Sequence, residues 1–274
     1  MNLRKKSETL GVNILVCIIS IILITPLLLI LINSFKTSRE AAFMSLALPA
    51  SLNFSNFSLV IQRGKLGQTF LNSMTYSLFS VILTTLLASM AAYVLSRNRN
   101  RLHTFLYFFI VLGITMPINF VTLVKVMQVL QLINTRGGVI LLYCAIQMPF
   151  NVFLIYSFIG KIPCEIDEAG VIDGCSPIRL FVSVVLPLLK PVLVTVMVLT
   201  FLNTWNEFVL PLYLVGSSDK WPMTLAVYNF FGMYFRDWNL VCADIVLTSL
   251  PVILVYILGQ KHIVSGMTAG AVKG

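Results

Sequence analysis

Four stretches of the chain, residues 9–35, 66–96, 104–124 and 137–160, contain no Asp, Glu, Lys or Arg. Each is long enough to cross roughly 30 Å of hydrocarbon as a helix rising about 1.5 Å per residue. Two more, residues 191–215 and 241–260, carry one acid apiece, Glu207 and Asp244. In lipid every backbone N–H and C=O must find its partner within the protein, and a single uncharged run does so only as a helix. The sequence therefore predicts an all-α membrane protein with six transmembrane helices. Composition agrees: 58% of residues are hydrophobic and 11% charged, with a mean hydropathy of +0.93, more apolar surface than a soluble domain carries.

The net charge of +9 would suggest nucleic acid as the partner of a soluble protein. Here the Lys and Arg sit between spans, where they set topology, and no nucleic acid partner is expected. "RKK" precedes the first span, and Arg97, Arg99 and Arg101 follow the second without an acid among them, which puts both positions in the cytoplasm. Carried along the chain, this places both termini and residues 161–190 inside, with eleven Lys and Arg inside against eight outside. The first apolar stretch is too long for a signal peptide and lacks a small-residue cleavage site, so it reads as a span. The five cysteines, Cys17, Cys144, Cys164, Cys175 and Cys242, follow no metal spacing and read as small packing residues.

Against this oily background, residues 165–173 hold four carboxylates, Glu165, Asp167, Glu168 and Asp173. Pro163 suits a first helical position, the acids that follow suit the positive end of a helix dipole, and Gly174 suits its end, so a short helix is expected along the membrane face. A lipid-anchoring helix would carry Lys and Arg on its polar face, so this one is built to meet protein. Ser176 then caps and Pro177 opens a second helix, and Pro187 with Pro191 kink the approach to the fifth span. A solvated charge run is the bland alternative.

The spacing E-A-A, three residues, G, nine residues, I-x-L-P marks the membrane subunits of binding-protein-dependent ABC importers. This chain places Glu168, Ala169, Gly170, Gly174, Val184, Leu186 and Pro187 there, departing at Gly170 for Ala and at Val184 for Ile. Together with "FLNSM", "AAYVLSR", "LINTRGGVILLY", "WNEFVLPL" and "GMTAGAVKG", the motif makes the chain resemble the carbohydrate-importing branch, in particular the maltose-type second membrane subunit. The resemblance implies a type I importer fold, with residues 1–68 as N-terminal span and first external loop and residues 69–274 as the core bearing the motif loop at 161–187. It implies a coupling helix between spans four and five that docks on a cytoplasmic ATPase, with Glu165, Glu168, Ala169, Asp173, Gly174, Leu186 and Pro187 as coupling residues. The implied partners are a second permease subunit, two ATPase subunits, an extracytoplasmic solute-binding protein and the lipid bilayer of a bacterial inner membrane. The tail would reach between the ATPases, although alone it reads as a frayed end.

The chain has no G-x-x-x-x-G-K-[ST] and no large soluble domain, so ATP binding falls to partner subunits and no cofactor or metal of its own is expected. No catalytic constellation emerges, and the chain is not expected to be an enzyme. In the fifth span Trp205, Asn206 and Glu207, with Asn203 one turn before, form the stacking and hydrogen-bonding set that sugars require, and are candidates for the translocation path. Asn119 and Asn151, with Thr122 and Gln128, are weaker candidates for which interhelical hydrogen bonding is the competing role. Asp244 reads as a cap for the sixth span. Importing a polyol or glycerol phosphate is the alternative within transport. A secondary transporter or membrane enzyme would call for inverted repeats or an intramembrane catalytic pair, and neither is seen.

Overall fold

The computed structural model of the chain describes residues 2–98, 100–230 and 237–271, and among them it contains helices and no strand. Arg99 and the last three residues of the tail lie outside the described residues. In chain order the helices are α1 (Asn2–Ser34), α2 (Ser38–Ala41), α3 (Ser55–Arg63), α4 (Leu66–Arg97), α5 (Arg101–Leu112), α6 (Phe120–Val129), α7 (Arg136–Ile159), α8 (Glu165–Ile172) and α9 (Pro177–Leu180). A π-helical turn (Phe181–Val185) leads to α10 (Leu186–Leu188), α11 (Lys190–Asn206), α12 (Val209–Leu214), α13 (Met223–Ala226) and α14 (Trp238–Ala271). Four of these, α1, α4, α7 and α14, are each long and apolar enough to cross a membrane. Pro177–Leu188 and Lys190–Asn206 reach that length and apolarity only as a pair, bent by 79° at the break between them.

The expected third span, residues 104–124, is broken. Helix α5 ends at Leu112 and α6 begins at Phe120, because Pro117 lacks the N–H a helix needs and disfavours helical geometry at Met116. Asn119 then restarts the helix by accepting the Thr122 N–H at 3.0 Å. The expected fifth span, residues 191–215, breaks at Glu207, four residues before Pro211. A proline at that offset cannot bond the Glu207 carbonyl and would clash with it. The carbonyl takes the Thr224 hydroxyl at 3.0 Å instead, and the chain turns into α12.

The structure divides into two compact units. One comprises residues 1–69 and 226–250. Within it, the most apolar part of α1 buries nothing inside the protein, so its side chains are left for lipid or another subunit. Lys36, which the sequence suggested was a loop charge, is 2% exposed. Its ammonium donates to Asn33 Oδ1 at 3.0 Å, to the Ser45 carbonyl at 2.7 Å and to Ser45 Oγ at 3.1 Å. Asn56 Nδ2 bonds the Ser34 and Lys36 carbonyls, and Asn239 Nδ2 donates to Asn56 Oδ1 at 2.9 Å. A buried charge persists only with such partners, and this network fixes the loop after α1 to the start of α14. In the same loop Glu40 closes a capping box with Thr37 on α2. The Thr37 backbone N–H holds its carboxyl below the usual value, a contribution present at neutral pH and lost as pH falls through the lowered value. Asp244 is not a cap: it is the seventh residue of α14 and 2% exposed, and the helix is entered at Asp237, whose carbonyl accepts the Leu240 and Val241 N–H groups.

The other unit comprises residues 70–225 and 251–274. Its α4 carries a buried stripe of small residues, Ser73, Ser77, Ser80, Thr84, Ala88 and Ala92, at helical spacing. Small residues let helices approach closely, which is how helices associate where lipid offers no hydrophobic contrast. Among the described residues the stripe packs into apolar clusters. One joins Ala88, Ala92 and Leu95 to Val152, Ile155 and Ile159 of α7 and to Val192 and Val196 of α11. Another, toward the opposite end of α7, joins Tyr76, Met127, Val139, Leu142, Leu210 and Leu214.

Candidate functional site

The segment between α7 and α11 is built from local rules. Helix α7 ends at Gly160, and α8 starts at Glu165, two residues later than Pro163 suggested. Arg97 Nη1 donates to the Ile162 carbonyl at 3.1 Å, which engages that carbonyl outside the helix. Glu165, Asp167 and Glu168 fall in the first turn, where the helix dipole favours them. The far end closes as a Schellman motif: Gly174, at φ 77°, donates to the Val171 carbonyl at 3.0 Å and Cys175 to the Gly170 carbonyl at 3.0 Å. Only glycine holds that φ without strain. Ser176 caps α9 by accepting the Arg179 N–H at 3.4 Å, and Pro177 opens it.

Gly170, the departure from the E-A-A pattern, has a reason here. A Cβ at this position would meet Leu180 Cδ1, so the missing methyl lets the buried Leu180 close on α8. Helix α8 is thereby packed against α9. In the π turn, Phe181–Val185, the Leu186 N–H bonds the Phe181 carbonyl five residues back, and the chain then bends by 79° at Leu189 into α11.

Of the residues expected to couple, Glu165, Glu168, Ala169, Asp173 and Gly174 are exposed. Leu186 is half-buried against the Val185–Val192 packing and Pro187 is exposed at the bend, so these two belong to the joint rather than to the α8 surface. Among the described residues Asp167 alone of the four acids is in an ion pair, with Arg97. Around the free carboxylates stand large apolar side chains: Ile172 is 84% and Ile178 78% exposed, with Val171 beside them. A recess of about 620 Å³ opens here among Tyr93, Arg97, Glu168, Val171, Ile172 and Leu180. The α8 surface thus interleaves unpaired acids with exposed aliphatic side chains.

The α11 candidates do not converge. Trp205 is 1% exposed, its ring packed 5.9 Å from Phe70 and 5.5 Å from Phe201, so in this structure it offers no face to a sugar. Asn151 is buried and bonds Thr200 Oγ1 at 2.8 Å, and Asn119 is occupied as the cap of α6. Glu207 accepts the N–H groups of Val209 and Leu210 at 2.8 and 3.0 Å, holding the start of α12. Asn203 and Asn206 are exposed, and Asn203 Nδ2 reaches Gln147 Oε1 at 3.2 Å. The Arg97–Asp167 pair escaped sequence reasoning. Its signal was an acid in the first turn of α8 and an arginine in the preceding loop on the same side, read there only as a topology charge.

The profile of the family described as "Binding-protein-dependent transport system inner membrane component" matches residues 84–269, more than half the chain. The chain belongs to this family. The permease is 32% identical over 257 residues to the "Probable starch degradation products transport system permease protein AmyC" of Thermoanaerobacterium thermosulfurigenes, covering 93% of this chain and 94% of that protein. It is 36% identical over 259 residues to the "Diacetylchitobiose uptake system permease protein NgcG" of Streptomyces coelicolor, covering 93% and 85%. With the "Melibiose/raffinose/stachyose import permease protein MelC" of Bacillus subtilis it shares 30% identity over 99% of both chains. In fold the permease is similar, at a TM-score of 0.84 and 22% identity over 95% of its length and 98% of that chain, to a membrane subunit in the "Crystal structure of a bacterial ABC transporter involved in the import of the acidic polysaccharide alginate". The expected all-α importer fold is therefore the observed one, with α1, α4, α7 and α14 as helices long enough to cross and the expected third and fifth spans each interrupted.

Proposed function

We propose that the permease, with a second permease subunit, forms the path by which a sugar or oligosaccharide enters the cell, driven by two ATPase subunits that dock on α8 and supplied by an extracytoplasmic binding protein. The observation that carries this reading is the exposed acidic and aliphatic surface of α8, locked to α9 by Gly170 and Leu180 and ended by Gly174. Carboxylates there suit basic groups on a nucleotide-binding partner. ATP is bound by the partners, and the permease needs no cofactor of its own. Both termini and α8 lie in the cytoplasm on the charge argument above.

The sugar assignment rests on the substrates for which the relatives are named, and on Asn203 and Asn206, whose amides on the exposed side of α11 suit hydroxyl groups. Glu207 shapes the path by ending α11, and Trp205 supports it from behind. A panel of labelled solutes offered to cells carrying the whole system tests this. Uptake of maltotriose, raffinose or diacetylchitobiose that disappears when this chain is deleted is the expected result. Deletion that abolishes glycerol 3-phosphate uptake and leaves all three sugars unaffected would overturn it.

A further inference from the structure

Arg97 is the last residue of α4, and its guanidinium holds the start of α8 at three points. Nε donates to Asp167 Oδ2 at 2.5 Å, Nη1 to the Ile162 carbonyl at 3.1 Å and to Cys164 Sγ at 3.3 Å. These partners lie on both sides of the first α8 residue, so the one side chain fixes where the helix begins and how it is tilted. Tyr93, one turn earlier on α4, packs its ring 5.5 Å from Phe181 in the π turn beyond α9. The last turn of α4 therefore grips the α8–α9 piece at both ends, although α4 and α8 stand 70 residues apart between Arg97 and Asp167 and share no direct chain connection.

We propose that Arg97 is a positioning residue that carries the motion of α8 into α4, so that a docked ATPase drives the second span together with the fifth. The inference rests on the reading of α8 as the docking helix. Through the chain alone, a push on α8 reaches α11 by way of α9, the π turn and a 79° bend. The guanidinium supplies a second, shorter route. Its geometry suits a moving joint, because only one of the two bonds open to a guanidinium–carboxylate pair is made. Arg97 Nη2 and Asp167 Oδ1 are both buried and make no hydrogen bond to each other, and the Tyr93 hydroxyl lies against the same carboxylate. Arg and Asp pair readily through two parallel bonds, so a small tilt of α8 closes the second while the first persists, and the joint stays engaged through a stroke. A static brace would do no more than keep the loop folded.

The test uses the complete reconstituted importer with Arg97→Gln, with Asp167→Asn, and with the exchanged pair Arg97→Asp plus Asp167→Arg, and reads solute carried per ATP hydrolysed. The solute is whichever of maltotriose, raffinose and diacetylchitobiose the wild-type complex carries. Each single variant is expected to assemble and hydrolyse ATP while carrying about tenfold less solute per ATP, within the usual range of coupling between sites. The exchanged pair is expected to regain most of that loss, which a loop merely loosened by substitution would not do. An unchanged ratio in both single variants, or uptake and hydrolysis falling in proportion, overturns the proposal. Glu168→Lys, run beside them, separates the two readings: if it leaves ATPase docking and coupling intact, the docking assignment falls, whereas if it uncouples and Arg97→Gln does not, only the Arg97 joint falls.

Discussion

Gly174→Pro is expected to reduce solute uptake more than tenfold while the permease still inserts in the membrane and accumulates normally. Proline fixes φ near −65°, whereas residue 174 sits at φ 77°, so the turn that ends α8 cannot form. The substitution also deletes the N–H that bonds the Val171 carbonyl and misaligns the Cys175 N–H on the Gly170 carbonyl. The spans are untouched, because this turn buries nothing in their packing: Gly174 has open space around its α-carbon. Gly174→Ala, which must hold a left-handed conformation at a cost of about 1 kcal/mol, should give a graded defect of the same kind. Uptake measured together with co-purification of the ATPase checks both variants. Full uptake by the proline variant would mean that the α8 turn transmits nothing.

Trp205→Ala carries the second large effect, and it is an effect on stability. The indole is fully enclosed between Phe70 and Phe201, and removing such a side chain from a packed site costs about 3–5 kcal/mol. The variant should lose yield and melt at markedly lower temperature in detergent, whereas Trp205→Phe should recover most of both. If Trp205 were instead a stacking platform for sugar, the alanine variant would keep its melting temperature and lose only apparent affinity for solute. Thermal melting of the purified permease, followed by intrinsic fluorescence for the phenylalanine variant and by aggregation for both, distinguishes the two.

Much of the architecture was legible because it follows from local chemistry. Runs with at most one charge located α4, α7 and the apolar parts of α1 and α14 to within a few residues, and proline, serine and glycine marked the punctuation around α8 and α9. What escaped depended on groups far apart in sequence. The breaks at Pro117 and Glu207 lay inside runs apolar enough to read as single spans, where the missing N–H of Pro117 and Pro211 is the signal that betrays them. Trp205 was read from its neighbours Asn206 and Glu207 as a sugar contact, but successive residues on a helix point some 100° apart, and the indole faces inward while the two asparagines face out. Lys36 and Arg97 were counted as charges that set topology. Each is in fact tied down by oxygens whose proximity no spacing in the sequence announces.

The central claim is that α8 is where the ATPase meets this permease. Ala169 tests it most directly, since it is small, exposed and at the middle of that helix. With the five native cysteines replaced, Ala169→Cys would carry a short photo-crosslinker in the assembled complex, with Asn98→Cys at the start of the α4–α5 loop for comparison. The ATPase subunit is expected to be captured from position 169, with a yield that changes when ATP is bound. Failure to capture the ATPase from position 169, in a complex that still co-purifies with it, would mean that α8 is not the docking helix.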